Sequence, residues 1–223
     1  MPLHPDPWPF RVYTPPCYEQ TTTHYPVIIL IHGSSFQDDQ WDRIGVDETA
    51  DSLIQRGEIP PFLILMPFDW YWTYEPFSDP FGEALVESLI PWMDQNYRTL
   101  PEREYRAIGG LSRGASWAVH LGLKHWELFS AVGAHSLPVF PSDPVFLEDW
   151  LKEIPNASVP RFFLDIGEED NLLEKALWFE NLINAYNVPH EWHLFPGTHD
   201  EAYWSSHLEQ YLRWYTQTWS HLQ

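Results

Sequence analysis

The sequence predicts an α/β protein, with a mostly parallel central sheet and helices on both of its faces. Three observations carry this. The run Val27-Ile28-Ile29-Leu30-Ile31 is apolar without interruption and β-branched at all but Leu30, the signature of a strand buried on both faces rather than one. Segments of helical spacing follow such runs in regular alternation. The alternation also accounts for nearly the whole chain, with no internal repeat and no linker, so residues 1–223 are expected to form a single domain.

Taken in order, Phe10 to Tyr13 reads as a short strand ahead of the Pro15-Pro16 turn. Pro26 to His32 is the central strand just described. Asp47 to Arg56 has helical spacing and stops at Gly57. Phe62 to Met66 is a second buried strand. Phe81 to Tyr97 reads as a helix with Pro91 as its expected kink. A strand from Tyr105 to Gly109 runs into Gly110-Leu111-Ser112-Arg113-Gly114, and Ala115 to Lys124 is a helix of small and apolar residues. Phe129 to Ala134 and Arg161 to Ile166 are strands. A helix from Leu173 to Tyr186, a strand from His190 to Phe195 and a last helix from Glu201 to Trp219 complete the chain. The proline-rich stretch Ser136 to Asn156 is too short for a cap domain.

Composition narrows the function. Hydrophobic residues make up 44% of the chain, which fits a globular protein. Lys and Arg total 12 against 32 Asp and Glu, for a formal net charge of −20. A surface of that sign repels nucleic-acid phosphates and anionic lipid headgroups, so neither partner is expected. The one cysteine, Cys17, allows no internal disulfide, and its proline-rich surroundings make it a poor candidate nucleophile. No apolar run approaches a membrane span, and the N-terminal residues do not read as a signal peptide. A cytoplasmic location is the resulting expectation.

Gly110-Leu111-Ser112-Arg113-Gly114 matches G-x-S-x-G between a strand and a helix, the setting this motif requires. There the serine sits on a strained turn, and the flanking glycines relieve crowding that any side chain would create. A hydroxyl needs a base to act as a nucleophile at neutral pH, and the base needs an orienting carboxylate. After such an elbow the acid and then the histidine follow in the chain. His199 lies in the loop between a strand and the last helix, where catalytic groups gather in open α/β sheets. By contrast His190 and His193 lie on or at the start of a strand, and His120, His207 and His221 fall within helices; no spacing supports a metal site with His193 and His199. Asp170 lies past the glycine turn after the Arg161 strand, with Glu168 and Glu169 as alternatives; Asp165, still in the strand, reads as structural. Negative charge on a tetrahedral intermediate calls for two amides. Arg113 supplies one, and Ser34 in His32-Gly33-Ser34-Ser35 is the natural second.

These residues resemble the Putative esterase family of α/β-hydrolases, which includes esterase D-like proteins, feruloyl and acetylxylan esterases, enterochelin esterase-like enzymes and mycolyltransferases. The likeness rests on Val12 to Tyr18, Tyr25 to Gly33, Gly109 to Gly114, and Gly197-Thr198-His199 with Trp204. It implies the α/β-hydrolase fold without a large cap and a serine carboxylesterase with neither metal nor organic cofactor. It assigns nucleophile, acid and base to Ser112, Asp170 and His199, and the oxyanion amides to Ser34 and Arg113. The sequence departs from the family where glycines after His32-Gly33 are replaced by Ser34 and Ser35, and in the aromatic segment Phe68 to Tyr74. Trp70, Trp72 and Tyr74 are expected to line the substrate pocket, with His135, Leu137 and Phe140 as another wall. The expected partner is a small-molecule or carbohydrate-linked ester, and the expected state a monomer or homodimer. An acyltransferase with the same triad is the alternative, and a binding module that has lost the chemistry a more distant one.

Overall fold

Residues buried on both faces of a sheet must be apolar throughout, and two strands of this chain meet that demand without exception. The computed structural model describes residues 8–70 and 73–222. After β1 (Phe10–Tyr13), β2 (Val27–Ile31) and β3 (Leu63–Pro67) are buried at every position. The remaining strands are β4 (Arg106–Leu111), β5 (Ala131–His135), β6 (Arg161–Gly167) and β7 (His190–Phe195). Together they form one sheet in the order β1-β3-β2-β4-β5-β6-β7. Every pairing is parallel except β1 with β3. The sheet thus ends on an antiparallel edge strand at one side and on β7 at the other, and β7 is only partly buried, as an edge allows.

Alternation of side chains along β2 divides the core. Val27, Ile29 and Ile31 pack on one face and Ile28 and Leu30 on the other. Short α1 (Gln40–Arg43) and α2 (Val46–Gln55) cover the second face through Trp41, Val46, Ala50 and Leu53. On the first face lie α3 (Phe81–Ala84), α4 (Ile90–Asn96), α5 (Arg113–Lys124), α6 (Pro144–Glu153) and α7 (Leu173–Ala185), which contribute Phe81, Met93, Trp117, Leu147 and Phe179. The chain returns to the second face with α8 (Glu201–Ser206) and α9 (Leu208–Thr216). Each fully buried large apolar side chain contributes about 1.5–3 kcal/mol. The fold is the α/β-hydrolase arrangement, helices on both faces of a mostly parallel sheet.

Local departures from the expected elements have physical causes. Between α3 and α4, Leu85–Leu89 widens into a π-helical turn. Pro91 lacks an N–H and its ring crowds the carbonyl of Glu87, and the wider turn stands immediately before this proline. The last helix is divided at His207. The Tyr203 carbonyl there accepts from the Ser206 hydroxyl at 2.7 Å and from His207 Nδ1 at 2.8 Å, so side chains compete with the backbone ladder. Within the proline-rich stretch after β5, α6 forms with Pro144 in its first turn, where a missing N–H costs nothing. Because β2 and β4 to β7 run parallel, their carboxyl ends share one edge. Ser34, Ser112, Ser136, Asp170 and His199 all follow these ends.

Candidate active site

β4 passes directly through Ser112 into α5, and Ser112 adopts φ 54° and ψ −122°. A serine holds this conformation only where its surroundings over-determine it. The Ser112 amide donates to the His135 carbonyl at 2.8 Å, tying the turn to the end of β5. A Cβ on Gly110 would lie 2.3 Å from the Gly114 backbone, and one on Gly114 would lie 2.1 Å from the Ile31 carbonyl oxygen. Backbone cannot yield at such distances, so only glycine lets β2, β4 and α5 meet here.

The loops after β6 and β7 bring two further predicted residues to the serine. His199 Nε2 is 2.9 Å from Ser112 Oγ, and His199 Nδ1 is 2.8 Å from Asp170 Oδ2. Asp170 can only accept, so Nδ1 carries the proton and Nε2 receives the Ser112 hydroxyl. The other Asp170 oxygen accepts the Leu172 amide at 2.8 Å. Burial alone would raise the Asp170 pKa, but hydrogen bonds from His199, the Leu172 amide and the Ser136 hydroxyl outweigh it and hold the carboxyl below its usual range. The carboxylate is therefore ionised at neutral pH. Its side chain is fully buried, whereas that of His199 is 27% exposed toward the cleft.

Gly33 and Ser34 form the opposite wall. A Cβ on Gly33 would lie 3.5 Å from the Ser112 Cβ, which places the loop beside the nucleophile. Its backbone is fixed from several sides. Gln40 Oε1 accepts the Gly33 amide at 2.9 Å, His32 Nδ1 donates to the Gly33 carbonyl at 2.7 Å, and the Asp69 amide donates to His32 Nε2 at 2.9 Å. With one ring nitrogen donating and the other accepting, His32 is neutral, and burial lowers its pKa in agreement. Gln40 Nε2 reaches on to Glu201 at 3.1 Å, and Arg43 pairs with the same carboxylate at 2.8 Å. One buried glutamine thus links the Ser34 loop to the start of α8.

Arg113 opens α5 next to Ser112, while its side chain turns inward. The guanidinium bonds Asp69 and Asp79, each at 2.9 Å, and lies 4.9 Å from the centre of the Phe140 ring. Burial, then the nearby Asp69 charge, pushes the Asp79 carboxyl up to about 7.

A cleft of about 660 Å³ opens over these residues, lined by Ser34, Phe36, Leu111, Ser112, His199, Glu201, Ala202 and Trp204 among others. Two expectations about its walls need correction. His135 is fully buried instead of facing the cleft, held by Asp165 at 2.6 Å and Tyr215 at 3.1 Å, because β5 carries its side chain to the inner face beneath α9. Leu137 and Phe140 likewise belong to the core. Trp70 and Tyr74 are 44% and 49% exposed and are not among the described lining residues. Just before them, Phe68 stacks on His32 and Asp69 bonds Arg113. Trp72 lies outside the described residues. The lining instead draws on Phe36 and Trp204, whose ring meets His199 edge-on at 5.1 Å. Gln40 had no signal in sequence: it stands in a polar run, Gln37 to Gln40, that reads as surface. Among the described residues no group of three or more His, Cys, Asp or Glu side chains is arranged to hold a metal, and no helix is long and apolar enough to cross a membrane.

Known proteins share this architecture. A solved ferulic acid esterase superposes with a TM-score of 0.82 at 27% identity, over 94% of this chain and 92% of that one. An esterase of Mycobacterium tuberculosis is 31% identical over 138 residues, 57% of this chain and 28% of that protein. An endo-1,4-beta-xylanase/feruloyl esterase of Xylanibacter ruminicola is 28% identical over 154 residues, 66% of this chain and 20% of that protein. The matches therefore span less than a third of either relative's length. The family described as Putative esterase matches residues 5–215. This chain belongs to that Putative esterase family and is built on the α/β-hydrolase fold.

Proposed function

We propose that this protein is a serine carboxylesterase working through an acyl-enzyme, and the observation that carries the reading is the unbroken chain from Asp170 through His199 to Ser112 at the floor of an open cleft. His199 Nε2 takes the Ser112 proton as Oγ attacks the ester carbonyl. The amides of Ser34 and Arg113 receive the charge that develops on the carbonyl oxygen. His199 then protonates the departing alcohol. Water, deprotonated by the same nitrogen, releases the acid and restores Ser112. Asp170 keeps the imidazole in the tautomer that both half-reactions need.

The substrate class follows from the cleft and the likeness to a ferulic acid esterase. Phe36, Leu111, Ala202 and Trp204 offer an apolar wall suited to an aromatic or medium acyl group, and the acidic surface favours a neutral ester, including one carried on carbohydrate. The test is hydrolysis of p-nitrophenyl acetate, butyrate and octanoate and of methyl ferulate, with a Ser112→Ala control. Turnover abolished in a folded Ser112→Ala variant is the expected result. Hydrolysis that survives this substitution would overturn the mechanism, and a preference for acetate alone would overturn the acyl-group assignment.

A further inference from the structure

Thr198 and His199 are held between two contacts made by a single residue, Tyr203. Its amide donates to Asp200 Oδ1 at 2.9 Å on one side of His199. On the other side its ring lies against Gly197, where an added Cβ would come within 2.6 Å of a ring carbon. The hydroxyl of the same residue donates to Asp165 Oδ2 at 2.8 Å. We propose that Tyr203, anchored on the buried Asp165 carboxylate, is the positioning residue that sets the His199 loop; the proposal rests on reading Ser112, His199 and Asp170 as the catalytic triad.

Asp165 is suited to the role of anchor. Its side chain is fully buried, and no Lys or Arg is among its hydrogen-bond partners in the described residues. The charge is satisfied by three donors: His135 Nδ1 at 2.6 Å, the Tyr211 hydroxyl at 2.6 Å and the Tyr203 hydroxyl. A buried carboxylate that depends wholly on hydrogen bonds resists giving one up, so each donor is held firmly in place. Burial, then the Asp165 charge, raises the Tyr203 pKa, so its hydroxyl remains a donor.

The rest of the triad hangs on the same point. His135, bonded to Asp165, offers its carbonyl to the Ser112 amide at 2.8 Å. The Asp165 carbonyl accepts the Ser136 amide at 2.8 Å, and the Ser136 hydroxyl supports Asp170. Asp165 itself touches neither the cleft nor the reacting atoms. Its effect on catalysis is geometric, and Tyr203 is the arm that reaches the loop of the base.

Tyr211 supplies the discriminating control. Its hydroxyl bonds the same carboxylate oxygen, but from α9, beyond the His199 loop. The experiment compares Tyr203→Phe and Tyr211→Phe with wild type. It measures kcat and KM on p-nitrophenyl acetate per active site titrated with a fluorophosphonate, the rate of that labelling, and Tm. Both variants are expected to lose thermal stability. Tyr203→Phe should lower kcat and the labelling rate about 10- to 100-fold with KM unchanged, as displacement of a catalytic group does, while Tyr211→Phe should stay within about twofold of wild type. Equal kcat losses in both variants, or none in Tyr203→Phe, overturn the proposal. Should Tyr203→Phe fail to fold, Asp200→Ala releases the other end of the grip at an exposed position and is expected to lower kcat in the same way; unchanged kcat there overturns the proposal. A wild type that is neither active nor labelled would instead overturn the triad reading and this proposal with it.

Discussion

Replacing Asp170 by Asn keeps the shape of the side chain and removes one acceptor. In the native site the two oxygens accept from His199 Nδ1 and from the Leu172 amide, each at 2.8 Å. An asparagine whose carbonyl stays on Leu172 turns its NH₂ toward Nδ1. That nitrogen must then accept, the proton moves to Nε2, and Ser112 faces a donor in place of a base. The opposite amide orientation restores the tautomer but points NH₂ at the Leu172 N–H, leaving that amide unpaired at about 1–3 kcal/mol. Losing the carboxylate also weakens the bond to the imidazolium in the transition state by about 1–2 kcal/mol, the difference between charged and neutral hydrogen bonds. Together these reach about 2–5 kcal/mol, or about 30- to 5000-fold in kcat at 1.36 kcal/mol per decade. The assay is kcat on p-nitrophenyl acetate per folded molecule, with circular dichroism to show that the fold is intact. A folded Asp170→Asn variant within about threefold of wild type would refute the reasoning and return the acid to Glu168 or Glu169.

Two further substitutions test the supports of the site. Gln40→Leu leaves the Gly33 amide without its acceptor, so stability should fall by about 1–3 kcal/mol. With the Ser34 loop loosened, kcat should fall about 10- to 100-fold while KM changes little; wild-type kcat at a lowered Tm would show that the loop is fixed by other bonds. Asp79 has its carboxyl raised to about 7 by burial and by Asp69, so the folded state binds more protons than the unfolded state between the ordinary carboxylate range and that value. Stability contributed by this group is therefore present at low pH and lost as pH rises through about 7. Tm of Asp79→Asn should fall less steeply with pH over that window than wild-type Tm, and parallel curves would show that Asp79 is already ionised through its bond to Arg113.

What the sequence determined is what depends on neighbours along the chain. Strands whose residues are apolar without alternation, such as Val27 to Ile31, identify themselves because burial on both faces leaves no position for a polar residue. Ser112 was legible because its turn needs Gly110 and Gly114 at fixed offsets, and His199 because it follows a strand and precedes a helix. The cleft walls were not legible. His135 stands at the end of a strand like a site residue, yet Asp165 and Tyr215 draw it into the core from positions 30 and 80 residues away. Trp70 and Tyr74 carry the aromatic character of a pocket, yet both are exposed and the cleft is lined by Phe36 and Trp204 in their place. Gln40, Tyr203 and Asp165 gain their roles only from partners brought beside them by the sheet order. Local spacing encodes backbone conformation, because steric limits act between near neighbours. Which buried polar groups satisfy one another is decided across the sheet, and only the tertiary structure decides it.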